Sequence, residues 1–425
     1  MEISRLYQLY LQHPVIKTDS RKIQTGDIFF ALKGLNYNGN NFAKEALSAG
    51  ASYVVVDAEI DGSSDRIIKT ADVLFTLQQL AKHNREQFNI PFIAITGSNG
   101  KTTTKELIHS VLSSAYKTYT TEGNLNNHIG IPLTLLKIKN DADNAVIEMG
   151  ANNLKEIESY CKYVQPTHGL ITNFGKAHLQ GFGSIEGVRK AKGELFNYLK
   201  EIRGTAFVNA DDEVMVGMSE GIKNIITYGV VNGSIKGRVL NNASFLQVGI
   251  TGDVVIDNLK TQLVGEYNLP NVLAAVAVGK YFSVPEEKIK TSLENYAPSN
   301  SRSQLIRQGS NTIILDAYNA NPSSMKAAIE NFAKMEGENK ILMLGGMMEL
   351  GKDSKVEHAQ ILKIIDEHKW HKVILVGDDF KDLKNNYIMF DNSAEVKEWF
   401  TNQTFENTLI LIKGSRSIQM EKILE

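Results

Sequence analysis

Cysteine occurs once in 425 residues, at Cys161. That excludes an intramolecular disulfide framework and suits a reducing compartment. Neither sign of charge is in excess: 46 Lys and Arg stand against 48 Asp and Glu, for a formal net charge of −2. Nothing in that balance points to nucleic acid or to an anionic membrane, which leaves a small molecule as the expected partner. Long apolar runs are missing as well. None approaches the length of a membrane span, and the N-terminal MEISRLYQLYLQHP has neither a basic leader nor an unbroken apolar segment. A cytoplasmic protein without membrane insertion is expected. The composition, 42% hydrophobic and 22% charged, is that of an ordinary globular chain. Its length predicts roughly three domains at about 150 residues each.

The most informative stretch is Phe92 to Glu106, FIAITGSNGKTTTKE. It reads as a strand, a glycine turn and the first turn of a helix. Gly97 and Gly100 would let the backbone approach a polyphosphate, with the amides of Ser98, Asn99 and the helix start as donors. Lys101 would neutralise β and γ oxygens, and Thr102 would offer a hydroxyl to Mg²⁺, with Thr103 next in the same turn. The outer glycine of the usual P-loop is absent, because Ile95 stands at its place. The form present is the shorter TGxxGKT.

Residues 1–88 alternate short strand and helix signals, including Ile28 to Leu32, Phe42 to Ala49 and Tyr53 to Val56, and predict a small α/β domain. The cluster Asp19-Ser20-Arg21 before the first of these strands reads locally as a solvated turn. Residues 89–300 carry near-continuous apolar runs at Phe92 to Thr96, Ala145 to Ile147, Leu170 to Thr172 and Ala206 to Val208. Runs of that kind predict a parallel sheet covered on both faces, with ligands at the carboxyl ends of its strands. Glu148 ends one such strand, where its carboxylate would serve a metal held by Thr102. Residues 301–425 repeat strand and helix in a second doubly wound unit that is Rossmann-like in outline, with a last helix expected from Arg416. No G-x-G-x-x-G is present there, so NAD is not expected. Asn321 is placed as N-cap ahead of Pro322. The loop Lys413-Gly414-Ser415-Arg416 suits either an anion, such as a substrate carboxylate, or a structural turn.

Between Ile185 and Leu199 the apolar residues Ile185, Val188, Leu195 and Leu199 follow the 3 and 4 spacing of a buried helical face, and Lys192 completes the pattern. An unpaired ammonium is costly to bury, so this lysine must snorkel, pair with an acid, touch a phosphate or be chemically altered. Addition of CO₂ to the neutral amine would convert it to a carbamate, an anionic oxygen ligand suited to Mg²⁺. His178, in the loop before this helix, is a further candidate ligand.

These residues resemble the Mur ligases, which build the peptide stem of bacterial peptidoglycan. The resemblance spans essentially the whole chain. It is carried by TGSNGKTTTKE, GNLNNHIGIPLTLL (Gly123 to Leu136), VIEMGAN (Val146 to Asn152), AHLQGFGS with AKGE (Ala177 to Glu194), GEYNLPNVLAAVAVG (Gly265 to Gly279) and DAYNANPSSM (Asp316 to Met325). It implies three domains, with UDP-substrate binding in 1–88, ATP binding in 89–300 and a Rossmann-like third domain in 301–425. It also implies that Lys192 is carbamylated and serves the metals with Glu148 and His178. By the same likeness Asn268 and Asn271 lie near the adenine, Arg302 reaches ATP phosphate across the hinge 297–303, and Asp316 and Asn319 face the nucleotide. Ser20, Arg21, Asn126, Asn127, Lys413 and Arg416 are its candidates for substrate binding. The GNLNN, EMGAN and DAYNANP forms resemble the member that joins D-alanyl-D-alanine to UDP-N-acetylmuramoyl-tripeptide, with ATP and Mg²⁺ as cofactors and a monomer as the working unit. A third-residue-adding ligase of the family, a folylpolyglutamate synthase and a nucleotide-gated P-loop module are the alternatives.

Overall fold

In the computed structural model, which describes residues 2–62, 64–299 and 301–425, the apolar runs form strands. Asn300, inside the linker 297–303, lies outside the described residues. The chain gathers into two units: residues 1–94, 116–150 and 156–168 form one, and residues 95–115, 151–155 and 169–425 the other.

In the first unit Ile16–Lys17, Ile28–Phe30, Tyr53–Val56 and Ile67–Lys69 form a parallel sheet in that order. Phe29, Val54 and Val56 are buried against Ala43 and Ala46 of the short helix Ala43–Ser48. Asp72 caps the helix Val73–Arg85 by accepting the Phe75 amide at 2.7 Å. At the other end of that helix the Arg85 guanidinium donates to the carbonyls of Val164 and Gln165, each at 2.9 Å. The strand Asn144–Glu148 is buried along its whole length, so apolar side chains occupy both faces, and Thr118–Thr120 pairs with it in parallel.

In the second unit the helix Lys101–Ser113 packs on Leu269–Tyr281. The latter is apolar nearly all round and buried from Asn271 to Gly279, as a helix inside a core must be. Neighbouring strands here are Thr205–Asn209, Asn224–Gly229, Ile235–Asn241, Gln247–Gly252 and Ile256–Lys260. The expected parallel pairing runs through Thr205–Asn209, Asn224–Gly229 and Ile235–Asn241, and beyond it the last two pairings are antiparallel. Their connections are short hairpins, which can only join antiparallel neighbours.

A six-stranded sheet follows in the order Gln304–Gln308, Asn311–Asp316, Thr408–Lys413, Asn339–Gly345, Lys372–Val376, Ile388–Phe390. Only its first pair is antiparallel. The carboxyl ends at Asp316, Lys413 and Gly345 lie on adjacent strands, the position where such sheets place ligands. The helix expected from Arg416 is not formed: residues 416–418 are turn, followed by a single 3-10 segment, Met420–Leu424. Met420 and Ile423 bury against the sheet and fix that path. Among the described residues no helix is long and apolar enough to cross a membrane.

Candidate nucleotide and metal site

Strand Phe92–Thr96 delivers the chain to Gly97 at φ 140° and, after Ser98 and Asn99, to Gly100 at φ 78°, where the helix begins with Lys101. Both glycines are sterically required. A Cβ on Gly97 would stand 2.0 Å from Thr172 Oγ1, and one on Gly100 would stand 2.7 Å from Asn271 Oδ1. The loop is held from below by a strap that follows the strand His168–Ile171. Ser98 N and Asn99 N donate to the Asn173 carbonyl and side chain, each at 3.0 Å, while Thr172 Oγ1 donates to the Asn99 carbonyl at 2.6 Å. Ser98 Oγ donates to the Gly175 carbonyl at 3.0 Å. The Lys101 ammonium folds back on its own loop and donates to the carbonyls of Gly97 at 2.7 Å and Ser98 at 3.0 Å. Thr102 is buried and Thr103 half-buried in the same first turn.

Asn268 and Asn271 do something composition could not reveal: they brace the loop. Thr104 Oγ1 donates to Asn271 Oδ1 at 3.0 Å, Asn271 Nδ2 donates to Asn268 Oδ1 at 2.9 Å, and Asn268 Nδ2 donates to the Val264 carbonyl at 2.8 Å. Asn268 stands at the N-cap position of its helix without a side-chain capping bond.

Lys192 faces inward, as its spacing requires, with 1% of its surface exposed. Its ammonium donates to the Ala151 carbonyl at 3.0 Å and lies 5.0 Å from the centre of the Phe182 ring. His178 takes a left-handed backbone at φ 51° before the turn Leu179–Phe182. Its ring meets Phe182 edge-on, and its Nδ1 stands against the Glu349 carboxylate. That partner holds the Glu349 carboxyl below its usual range. Among the described residues no group of three His, Cys, Asp or Glu side chains is arranged to hold a metal. As metal donors the Thr102 hydroxyl and the His178 imidazole fit, and Lys192 fits only as a carbamate, since an ammonium offers hydrogens and no lone pair.

In the first unit Glu148, 1% exposed, accepts from Asn126 Nδ2 at 2.7 Å, which fixes its carboxylate. Asn127 Oδ1 accepts the amides of Ile129 and Gly130 and so starts the helix Gly130–Lys137. Asp19 caps the 3-10 turn Ser20–Lys22. It also binds Arg21 through Nε at 2.8 Å and through the second nitrogen at 2.9 Å. The pair holds the Asp19 carboxyl down at about 2. Arg21 is thereby oriented while remaining open to solvent.

At the third segment Asp316 Oδ1 accepts the Ser303 amide at 3.0 Å, and Oδ2 pairs with Lys413 Nζ at 2.5 Å. Lys413, 2% exposed, also reaches the Asn319 carbonyl at 3.3 Å. The parallel pairing of their strands sets Lys413 directly opposite Asp316, and the two neutralise each other, which accords with the structural reading of this loop at Lys413. The Asn319 side chain accepts from the Ala320 amide. Asn321 caps the helix Pro322–Lys334 and sends Nδ2 to Asn99 Oδ1 at 2.7 Å. Arg302 lies over the Tyr318 ring at 3.6 Å, and Arg416 approaches the same ring at 5.7 Å while donating to Glu421 at 3.1 Å. Thr172, Asn173, Tyr318 and Glu349 escaped the sequence reading, because only long-range packing brings them to these partners.

Residues 14–85 match the Mur ligase family catalytic domain, residues 95–279 the Mur ligase middle domain, and residues 301–416 the Mur ligase glutamate ligase domain. The chain is 33% identical over 425 residues to the UDP-N-acetylmuramoyl-tripeptide--D-alanyl-D-alanine ligase of Bacillus subtilis, covering 96% of this chain and 92% of that one. The structure of MurF from Acinetobacter baumannii superposes with a TM-score of 0.88 at 31% identity, covering 98% and 97% of the two chains. That of MurF from Thermotoga maritima in complex with ADP gives 0.87 at 25% identity, covering 97% of each.

Proposed function

This chain belongs to the Mur ligase family, and from that membership we propose that it joins D-alanyl-D-alanine to UDP-N-acetylmuramoyl-tripeptide with ATP in peptidoglycan precursor synthesis. One observation carries the reading: a glycine cradle with Lys101 folded over its carbonyls, in the same unit as the buried Lys192, within a chain that matches such a ligase along 96% of its length.

A carboxylate does not condense with an amine unaided. An oxygen of the tripeptide's terminal carboxylate attacks the γ-phosphorus of ATP, the bond to the β,γ-bridging oxygen breaks, and ADP leaves an acyl phosphate. The amine of D-alanyl-D-alanine then attacks the acyl carbon, inorganic phosphate departs with the bonding pair, and the amine loses a proton. Positioning and charge neutralisation dominate such transfers. The amides of Gly100 and Lys101 and the Lys101 ammonium receive the phosphates, with Ser98 and Asn99 shaping the loop and Thr103 beside them, and Arg302 adds a cation. Bound Mg²⁺ supplies further neutralisation of the phosphoryl oxygens. Thr102, His178 and carbamylated Lys192 are the residues of the second unit that would hold it. Asn268, Asn271, Asp316 and Asn319 serve the nucleotide site, chiefly by bracing it. Ser20 and Arg21 take the UDP end of the substrate, with Asn126 and Asn127 as further contacts in the same unit. In the second unit Arg416 takes the carboxylate end of the incoming dipeptide. The functional divisions are 1–88, 89–300 and 301–425, in a cytoplasmic monomer.

Phosphate release from ATP tests this directly. It should require both the UDP-muramoyl tripeptide and D-alanyl-D-alanine, and the product should carry the dipeptide rather than a single amino acid. Robust release without either substrate would refute the ligase reading.

A further inference from the structure

The strap under the P-loop is also gripped from its other side. Residues 172–176 leave the loop's carbonyls and amides on one face, and on the other the Lys176 amide donates to Ser323 Oγ at 2.9 Å. The Lys176 ammonium reaches Glu357 Oε1 at 2.7 Å. Ser323 belongs to the helix Pro322–Lys334 and Glu357 to the helix Ser354–Asp366, both on the six-stranded sheet module. A Cβ on Gly175 would stand 2.8 Å from Asn99 Nδ2 and 3.1 Å from Ser323 Oγ, so the strap runs close against both side chains. Asn321 closes the same joint by binding Asn99.

The charge pair is unequal. Lys176 keeps 45% of its side chain exposed, whereas Glu357 keeps 7%. An exposed pair contributes little, but a buried carboxylate deprived of its cation is a penalty at the joint. Next to it, His358 is buried and accepts the Met347 amide on Nε2 at 2.9 Å, which anchors the loop leading to Glu349. The start of one helix thus reaches the loop that would hold phosphate, through Asn321, and the first turn of the other reaches the strap beneath it.

We propose that Lys176 and Glu357 form a positioning clasp that keeps the six-stranded module docked on the strap. It rests on the ligase reading for its effect on turnover, and on the joint alone for its effect on the protein. Docking holds the Asn321 cap on Asn99 of the loop, so on the ligase reading a weakened clasp lowers the fraction of molecules competent for transfer while the loop still binds nucleotide.

The test is a charge-reversal cycle on the full chain. Lys176→Glu should lower kcat by about tenfold, equivalent to about 1.4 kcal/mol of docking, with the dissociation constant for a non-hydrolysable ATP analogue and Mg²⁺ within about threefold of wild type. Glu357→Lys should behave alike, and the double variant should recover most of the loss. Hydrogen exchange of residues 172–176 and 321–323, measured without substrates, should quicken in each single variant and return in the double. Unchanged exchange in Lys176→Glu overturns the clasp whatever the reaction is. A double variant as impaired as the singles also overturns it, since a general loss of fold would not be repaired by exchanging charges. Wild-type protein without ligase activity but with the expected exchange pattern would sink the ligase reading and leave the clasp standing.

Discussion

Replacing Gly97 by alanine tests the cradle at its tightest point. The added methyl would stand 2.0 Å from Thr172 Oγ1 and 2.9 Å from the Thr172 amide nitrogen. The hydroxyl must turn away and release the Asn99 carbonyl it now bonds at 2.6 Å, a loss of about 1 kcal/mol. The amide cannot follow, because it donates to the Thr96 carbonyl at 2.9 Å, so crowding adds about 1–3 kcal/mol. A side chain at φ 140° adds about 1–3 kcal/mol more. Together these disfavour the present loop by at least about 3 kcal/mol, which is roughly two orders of magnitude in nucleotide affinity if the loop yields. Titration calorimetry with a non-hydrolysable ATP analogue and Mg²⁺ measures this. Gly309→Ala is the control, since Gly309 also has a positive φ of 60° but nothing within 4 Å of the added carbon. Gly97→Ala that binds the analogue within about threefold of wild type, with an unchanged melting temperature, would refute the steric account.

Asn271→Ala removes the bonds to Thr104 and Asn268, and about 1–2 kcal/mol of support under Gly100; the Michaelis constant for ATP should rise up to about tenfold. Lys192→Ala should abolish ligation, by about a hundredfold or more in kcat, while the fold persists. Recovery with added short carboxylates would mark a lost anionic ligand, and full activity without them would exclude the carbamate. Burial depresses the His168 imidazole to about 4. The folded state therefore binds fewer protons than the unfolded one between about pH 4 and pH 6.5, so stability from this residue is complete above pH 6.5 and is lost as pH falls toward 4. Acid unfolding followed by circular dichroism should shift to lower pH in His168→Gln.

How much could be read from the residues depended on how local the cause was. The cradle was legible because glycine, lysine and threonine act within one turn, and the burial of Lys192 was legible because a helix repeats its faces at fixed spacing. Asp19 and Arg21 likewise interact two residues apart. Lys413 could not be resolved between its two readings because its partner Asp316 is brought opposite it only by strand pairing 97 residues distant. The asparagines of Glu266–Asn268 and Leu269–Tyr281 announced a helix start, but their hold on the P-loop depends on how that helix packs. The antiparallel hairpins between Ile235 and Lys260 were missed, since their alternating, partly exposed residues lack the continuous apolar signature of the central strands.

Lys101 already occupies the carbonyls of Gly97 and Ser98. Arrival of a phosphate is therefore an exchange: two short hydrogen bonds are surrendered before the ammonium can turn outward. On the proposed assignment a polyphosphate, which would engage the ammonium and the helix-start amides together, would repay that trade better than a singly charged anion. Such an exchange would make the cradle selective before any contact with a base is made.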